Sequence, residues 1–216
     1  KHGQSFKTMA ITINGNGTVT GISVGGLPDG IVDTDMLAAG AVTAAKKSAG
    51  SILQVQQKIK TSPWAASVGS SGTVPTGMYQ TITTSSNSSK VLVFVNMTLF
   101  VGGSYFGSAF SLMRNSGTDN VTGGTEIFIG DGEGSRKRRT MGLQGPSYEA
   151  DILGGYSLGT QFLDTPGSAG AYTYFVKFFD DVSSDNYFYL NRGYNDADNS
   201  EQPRGTSSIT LMEVAG

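Results

Sequence analysis

No cysteine occurs in the 216 residues, so disulfides are excluded as a source of stability, as are thiol catalysis and Cys-based metal sites. Histidine occurs once, as His2 in a polar terminus, which leaves the rest of the chain without the base of a Ser-His-Asp or Cys-His arrangement. Charged residues make up only 15% and sum to a formal −2. A nucleic-acid binder normally carries a basic face, and none is expected here. No apolar run approaches the roughly 20 residues needed to span a bilayer as a helix, so membrane insertion is not expected. The opening KHGQSFKTMA has no apolar stretch of the signal-peptide type. G-x-S-x-G, P-loop and H-E-x-x-H patterns are also missing.

What the chain has instead is glycine, 31 of 216 residues, about twice the usual share of roughly 7%. These glycines have no collagen period and sit in turns between short apolar runs, the mark of a turn-rich globular chain. Four N-x-S/T sequons, at Asn16, Asn87, Asn96 and Asn120, are accounted for by the abundance of Asn, Ser and Thr.

Three zones separate. In the first, AITI precedes Asn14-Gly15-Asn16-Gly17, and Asn-Gly between Ile13 and Val19 predicts a hairpin. In the second, Ile22, Leu27, Val32, Leu37 and Val42 recur at every fifth residue. That period suits neither a strand nor a helix. One apolar side chain per pentad cannot enclose a core by itself, so the segment is expected to gain burial by trimerising or docking; the alternative is a Gly-rich linker. A short helix over residues 35–47, capped by Asp33 or Thr34 and closed by Lys46 and Lys47, is also expected.

From about Ser51 the chain reads as nine or ten short strands separated by turn signals. ILQVQQKIK is expected to turn Ile52, Leu53 or Val55 inward and Gln54, Gln56 and Lys58 outward, allowing one bulge. The near-continuous apolar run KVLVFVNMTLFV predicts a central strand covered on both faces. FGSAFSLMR, TEIFIG, RKRRTMGLQ, LGGYSLGTQFL, AYTYFVKFF, NYFYLNR and SSITLMEV supply further strands. The expected fold is all-β: a jelly-roll-like antiparallel sandwich over 51–216, preceded by an extended oligomerisation or docking segment over 1–50.

The order SAGSILQVQQ, SSKVLVFV, FSLMRNSG, IGDGEGSRKR, TQFLDTPGSAGAYTYFVKF, YLNRGYND, SSITLMEVAG resembles the distal domain of tail fibres and related virion fibres of bacteriophages. The N-terminal ITINGNGTVTGISVGGLPDGIVDTDMLAAGAVTAAK is similar to the lead-in segment of marine phage fibres. Together the two cover nearly the whole chain, which departs from the pattern between Thr61 and Gly77 and in YNDADNSEQPRG. The resemblance implies a homotrimeric structural and adhesive subunit of the virion. Its implied partners are other virion proteins of tail or capsid and a host surface glycan or protein receptor, with no cofactor. A head fibre or capsid decoration protein is the alternative, and a polysaccharide-cleaving spike a more distant one.

Candidate sites follow. Tyr194, with Asn195, Asp196, Asp198 and Asn199, forms a loop suited to stacking and hydrogen bonding of a sugar. Asp196, Asp198, Asn199 and Glu201 present oxygens of the kind calcium takes, without the spacing of an EF-hand. Arg136, Lys137, Arg138 and Arg139, read as part of a strand, are expected to form inter-subunit ion pairs or to guard an edge by charge. Acidic pairs that a glycosidase would require exist at Asp131/Glu133, Glu149/Asp151 and Asp180/Asp181. Such pairs are ordinary turn formers, and no enzyme activity is expected.

Overall fold

The computed structural model describes residues 12–13, 19–20, 37–43, 46–102, 107–143, 156–182, 186–200 and 202–216. The chain divides into two compact units, 1–46 and 47–216. In the first, β1 (Thr12–Ile13) and β2 (Val19–Thr20) pair antiparallel, with Ile13 opposite Val19, across the Asn-Gly segment. The expected helix over 35–47 does not form where the chain is described. Residues 37–43 run through turns, Ala41 N–H donates to the Ala38 carbonyl at 2.9 Å, and Gly40 sits at φ +79°. A left-handed residue cannot continue a helix, and the neighbouring alanines offer little to pack it. The proposed caps Asp33 and Thr34 lie outside the described residues.

The second unit is an antiparallel β-sandwich. One sheet holds β3 (Ile52–Lys60), β4 (Trp64–Val68), β6 (Lys90–Gly102), β10 (Tyr156–Asp164), β12 (Asn186–Leu190) and β13 (Ser207–Val214). The 13-residue β6 is its spine: β10 lies along one edge, β13 then β12 along the other, with β3 outside β13 and β4 outside β12. The other sheet holds β5 (Tyr79–Thr84), β7 (Ser108–Ser116), β8 (Thr125–Ile127), β9 (Met141–Gly142) and β11 (Gly170–Asp180), in the order β5-β11-β7-β8 with β9 also on β7.

Strand alternation fills the space between the sheets with Val91, Val93, Val95, Met97 and Leu99 of β6, Phe188 and Leu190 of β12, and Ile209 and Leu211 of β13. They meet Phe110, Leu112, Tyr174, Val176 and Phe178 from the opposite sheet. Phe178 stacks on Phe188 at 4.9 Å and on Trp64 at 6.0 Å.

Three sequence expectations change. The segment 61–77, which supplied none of the expected strands, contains β4, whose Ala65, Ala66 and Ser67 carry little strand propensity. β6 alternates instead of being covered on both faces, so Leu92 and Phe94 stay half-buried on the side away from the core. And β3 is turned over relative to expectation. Its polar side packs inward, with Lys58 Nζ 3.8 Å from the Tyr79 ring centroid and Gln54 Nε2 donating to Glu213 at 2.7 Å. Ile52, Val55 and Ile59 therefore face outward, and the register shift near Glu213/Val214 is the expected bulge.

Glu213 is almost wholly buried at the margin of the core. Its carboxylate accepts from Ser85 N–H at 2.6 Å, from the Ser85 and Ser89 hydroxyls at 2.7 Å each, and from Gln54. Burial alone would raise its pKa, but the donors, Gln54 first, outweigh burial and hold it below the ordinary carboxylate value. A depressed folded pKa contributes stability above the unfolded value, about 4.3 for Glu, and loses it as pH falls through the folded value. Glu213→Gln is therefore expected to lower the thermal midpoint near neutrality and to flatten its fall below about pH 4. Parallel pH profiles for the two proteins would refute this role.

Candidate functional site: a tyrosine platform

β12 packs between β6 and β4, so alternate residues of NYFYL point to opposite faces. Phe188 and Leu190 enter the core, while Tyr187 and Tyr189 stand on the outer face of the sheet. Register sets their different surroundings. Tyr189 lies opposite Phe100, with ring centroids 5.7 Å apart, and Tyr187 lies opposite Gly102. A Cβ at Gly102 would come within 3.2 Å of Tyr189 and 3.4 Å of both Phe100 and Tyr194. The missing side chain is what lets three rings close over that point.

The loop after β12 completes the surface. Tyr194 meets Tyr189 edge-on at 5.5 Å, and the Arg192 guanidinium lies 5.0 Å from the Tyr189 centroid. Asp196 anchors this arrangement by pairing with Arg192 at 3.0 Å and Arg204 at 2.8 Å. Within the loop, Ala197 N–H donates to Gln202 Oε1 at 2.8 Å. Burial, and secondarily Tyr194, push the Tyr189 hydroxyl upward against the opposing Arg192 charge, so it stays protonated. Tyr187 and Tyr194 are 48% and 47% exposed on either side of the buried Tyr189. Two half-exposed rings held by a rigid strand and a braced loop offer stacking surface at low entropic cost, with an Arg–Asp pair beside them for directional hydrogen bonds.

The sequence found part of this. Tyr194 is exposed as expected, and Asn195, Asp198 and Asn199 are exposed in the same loop. Asp196 is half-buried and engaged by two arginines, which makes it a brace of the platform. Tyr187, which the sequence places only within the strand NYFYLNR, is the second half-exposed ring of the platform. Its signal was present in the strict alternation of NYFYL, but the opposing glycine could not be known.

The other expected sites resolve differently. Residues 136–139 are not in a strand; only Met141–Gly142 of that stretch is. Arg139 pairs inside its own chain, with Glu126 at 2.7 Å and Asp181 at 2.6 Å, which corrects the inter-subunit expectation for this residue. Arg138 donates from Nε to the Gly130 carbonyl at 2.7 Å, and Arg136 and Lys137 are exposed in the loop. Asp181 is held by Arg139, Asp180 is buried and accepts from Val182 N–H at 3.1 Å, and Asp131 and Glu133 are exposed. Glu149, Asp151 and Glu201 lie outside the described residues. Among the described residues no three His, Cys, Asp or Glu side chains cluster as a metal site, and no helix is long and apolar enough to cross a membrane. Of the pentad residues, Leu37 and Val42 are exposed, and Ile22, Leu27 and Val32 lie outside the described residues. No protein-family model matches the chain, and no curated protein matches it in sequence.

Proposed function

We propose that the protein is a structural and adhesive subunit of a trimeric phage virion fibre, which binds a host surface receptor through the tyrosine platform. The observation that carries the adhesive part is the pair of half-exposed rings, Tyr187 and Tyr194, flanking Tyr189 and braced by Arg192, Asp196 and Arg204. The fibre and virion part rests on the ordered motifs of the sequence and on the pentad segment, whose apolar residues need a partner for burial. The receptor reading favours a surface glycan. Tyrosine faces stack on the apolar faces of sugar rings, and the Arg–Asp pair supplies both a donor and an acceptor for hydroxyls.

Tyr187→Ala combined with Tyr194→Ala is expected to reduce adsorption of the assembled fibre to host cells at least tenfold. Each ring lost from a central contact costs about 2 kcal/mol, or roughly thirtyfold in affinity. Tyr187→Phe should retain most binding, since stacking needs the ring and not the hydroxyl. Adsorption unchanged by the double alanine variant, with assembly intact by sedimentation, would remove the platform from the receptor site.

A further inference from the structure

We infer that the outer face of the sheet formed by β3, β13, β6 and β10 is an interface with further copies of this chain. This rests on the fibre reading above and assigns the subunit contact to a surface of the sandwich that the pentad segment does not include.

Register builds the face. Val55, Met212, Leu92 and Leu163 are cross-strand neighbours in one row over four strands. Ile52 pairs with Val214 at one end, and Ile59 lies four pairs beyond Val55, on the same face, at the other. Ile52, Val55, Ile59 and Leu163 are 45%, 52%, 61% and 46% exposed. The adjoining row, Gln57, Thr210, Phe94 and Gln161, is polar but uncharged apart from its one phenylalanine. Four strands about 4.8 Å apart and roughly seven residues long span on the order of 450 Å2 in projection. That lies within the largest patches that monomers commonly expose, and it is more than half of the roughly 800 Å2 per partner of a standard interface before any loop is added.

Three observations identify the occupant as the same chain. The opposite sheet's outer face is covered by its own loops: Thr173 Oγ1 donates to the Gly117 carbonyl at 2.7 Å, and Arg139 lies 3.6 Å from the Phe179 centroid. The β3–β13–β6–β10 face has no such cover among the described residues, and Ile52, Val55, Ile59 and Leu163 stay exposed on it beside Gln57 and Gln161. Next, β6 has the composition of a strand buried on both sides, with Leu92 and Phe94 on the side that the single chain leaves half-open. Last, the two central rows carry no charge. Lys90, the register partner of Val214, is charged and exposed at the end of the face, so identical faces meet through their central rows without like-charge repulsion, whereas a heterologous partner is ordinarily selected by charge complementarity. Around a common axis, copies of this face would enclose a second apolar layer, leaving the tyrosine platform outside at the far end of β6.

The test uses the full chain and its freedom from cysteine. The wild-type protein is expected to sediment as a multiple of 22.5 kDa, and Val55→Glu with Leu163→Glu to sediment as a folded monomer with an unchanged far-ultraviolet spectrum. In Val55→Cys the unique thiol should react with a maleimide at least tenfold more slowly than the thiol of Lys137→Cys, and adding Leu163→Glu should abolish that protection. A wild-type monomer, together with a fast-reacting thiol in Val55→Cys, overturns the inference. So does a monomer in which that thiol is protected, because residues 1–46 of the same chain would then be the cover. An oligomer whose mass the double glutamate variant leaves unchanged also overturns it, but leaves the fibre reading standing on the pentad segment.

Discussion

Arg139→Met is expected to destabilise the sandwich by about 3 kcal/mol, the lower end of the penalty for breaking a buried pair by removing one partner, because Arg139, Glu126 and Asp181 are each partly buried. For a domain of this size that corresponds to a fall in thermal midpoint on the order of 10 °C. Arg139 pairs through Nη1 with Glu126 of β8 and through Nε and Nη2 with Asp181 just after β11, while its guanidinium covers Phe179. The hydrogen bond to Asp181, reinforced by Glu126, outweighs burial and raises its pKa further, so the charge is fixed throughout the accessible range. The variant leaves two carboxylates facing each other without a cation and uncovers an aromatic ring. Lysine is a poor replacement, because one ammonium cannot reproduce the fork that addresses both acids, and Arg139→Lys should recover less than half of the loss. Calorimetry on the two variants checks both statements. A midpoint within about 2 °C of wild type for Arg139→Met, well under the expected shift, would show that the loop over residues 128–140 is held by other contacts.

That node also shows what was and was not legible in the sequence. The strands were, wherever apolar alternation ended in glycine or proline turns, and so was the hairpin around Asn14-Gly15. The role of RKRR was not, because Glu126 and Asp181 lie 13 and 42 residues from Arg139 and no local spacing links them. The same holds for the polar letters of the ordered motifs. Gln54 and Glu213, 159 residues apart, meet at one core margin, with Ser89 joining them. Asn191, at φ +63°, donates to the Lys60 carbonyl at 2.8 Å and accepts from the Ser207 hydroxyl at 2.6 Å. These polar letters of the motifs therefore record how β3, β12 and β13 are fastened within one sheet, while YLNRGYND also supplies Tyr189 and Tyr194 of the platform. The inversion of β3 had a related cause. Periodicity identifies two faces of a strand but not which one the fold covers, and here long-stemmed Lys58 and Gln54 reach inward while the aliphatics face out. The platform was half-legible for a similar reason: Tyr187 and Tyr189 share a face, and only the residue on the neighbouring strand, Gly102 or Phe100, decides which one is exposed.

Asp164→Ala is expected to cost at least as much as the loss of Arg139, and far more than Tyr174→Phe. Tyr174 and Arg114 are cross-strand partners on β11 and β7, and both reach over the core to Oδ2 of Asp164 on β10, each at 2.7 Å. This ties one sheet to the other through a single buried oxygen. Burial, then the charge of Asp164, push the Tyr174 hydroxyl far above its usual value, so it is a permanent donor. For Arg114, burial pulls downward, and the hydrogen bond and charge of Asp164 more than restore the loss. Removing the carboxylate strands a wholly buried hydroxyl and a guanidinium whose side chain is only 22% exposed, a penalty of about 3–5 kcal/mol. Removing only the tyrosine hydroxyl leaves the ion pair intact and should cost about 1 kcal/mol. Once Asp164 is gone, the hydroxyl has nothing left to bond, so adding Tyr174→Phe should restore part of the stability, giving a coupling of about 1–2 kcal/mol in the double-mutant cycle. Urea midpoints at constant slope would measure all four corners of the cycle. Strict additivity would mean that the Tyr174 hydroxyl contributes nothing through Asp164 and that the sheets are fastened elsewhere.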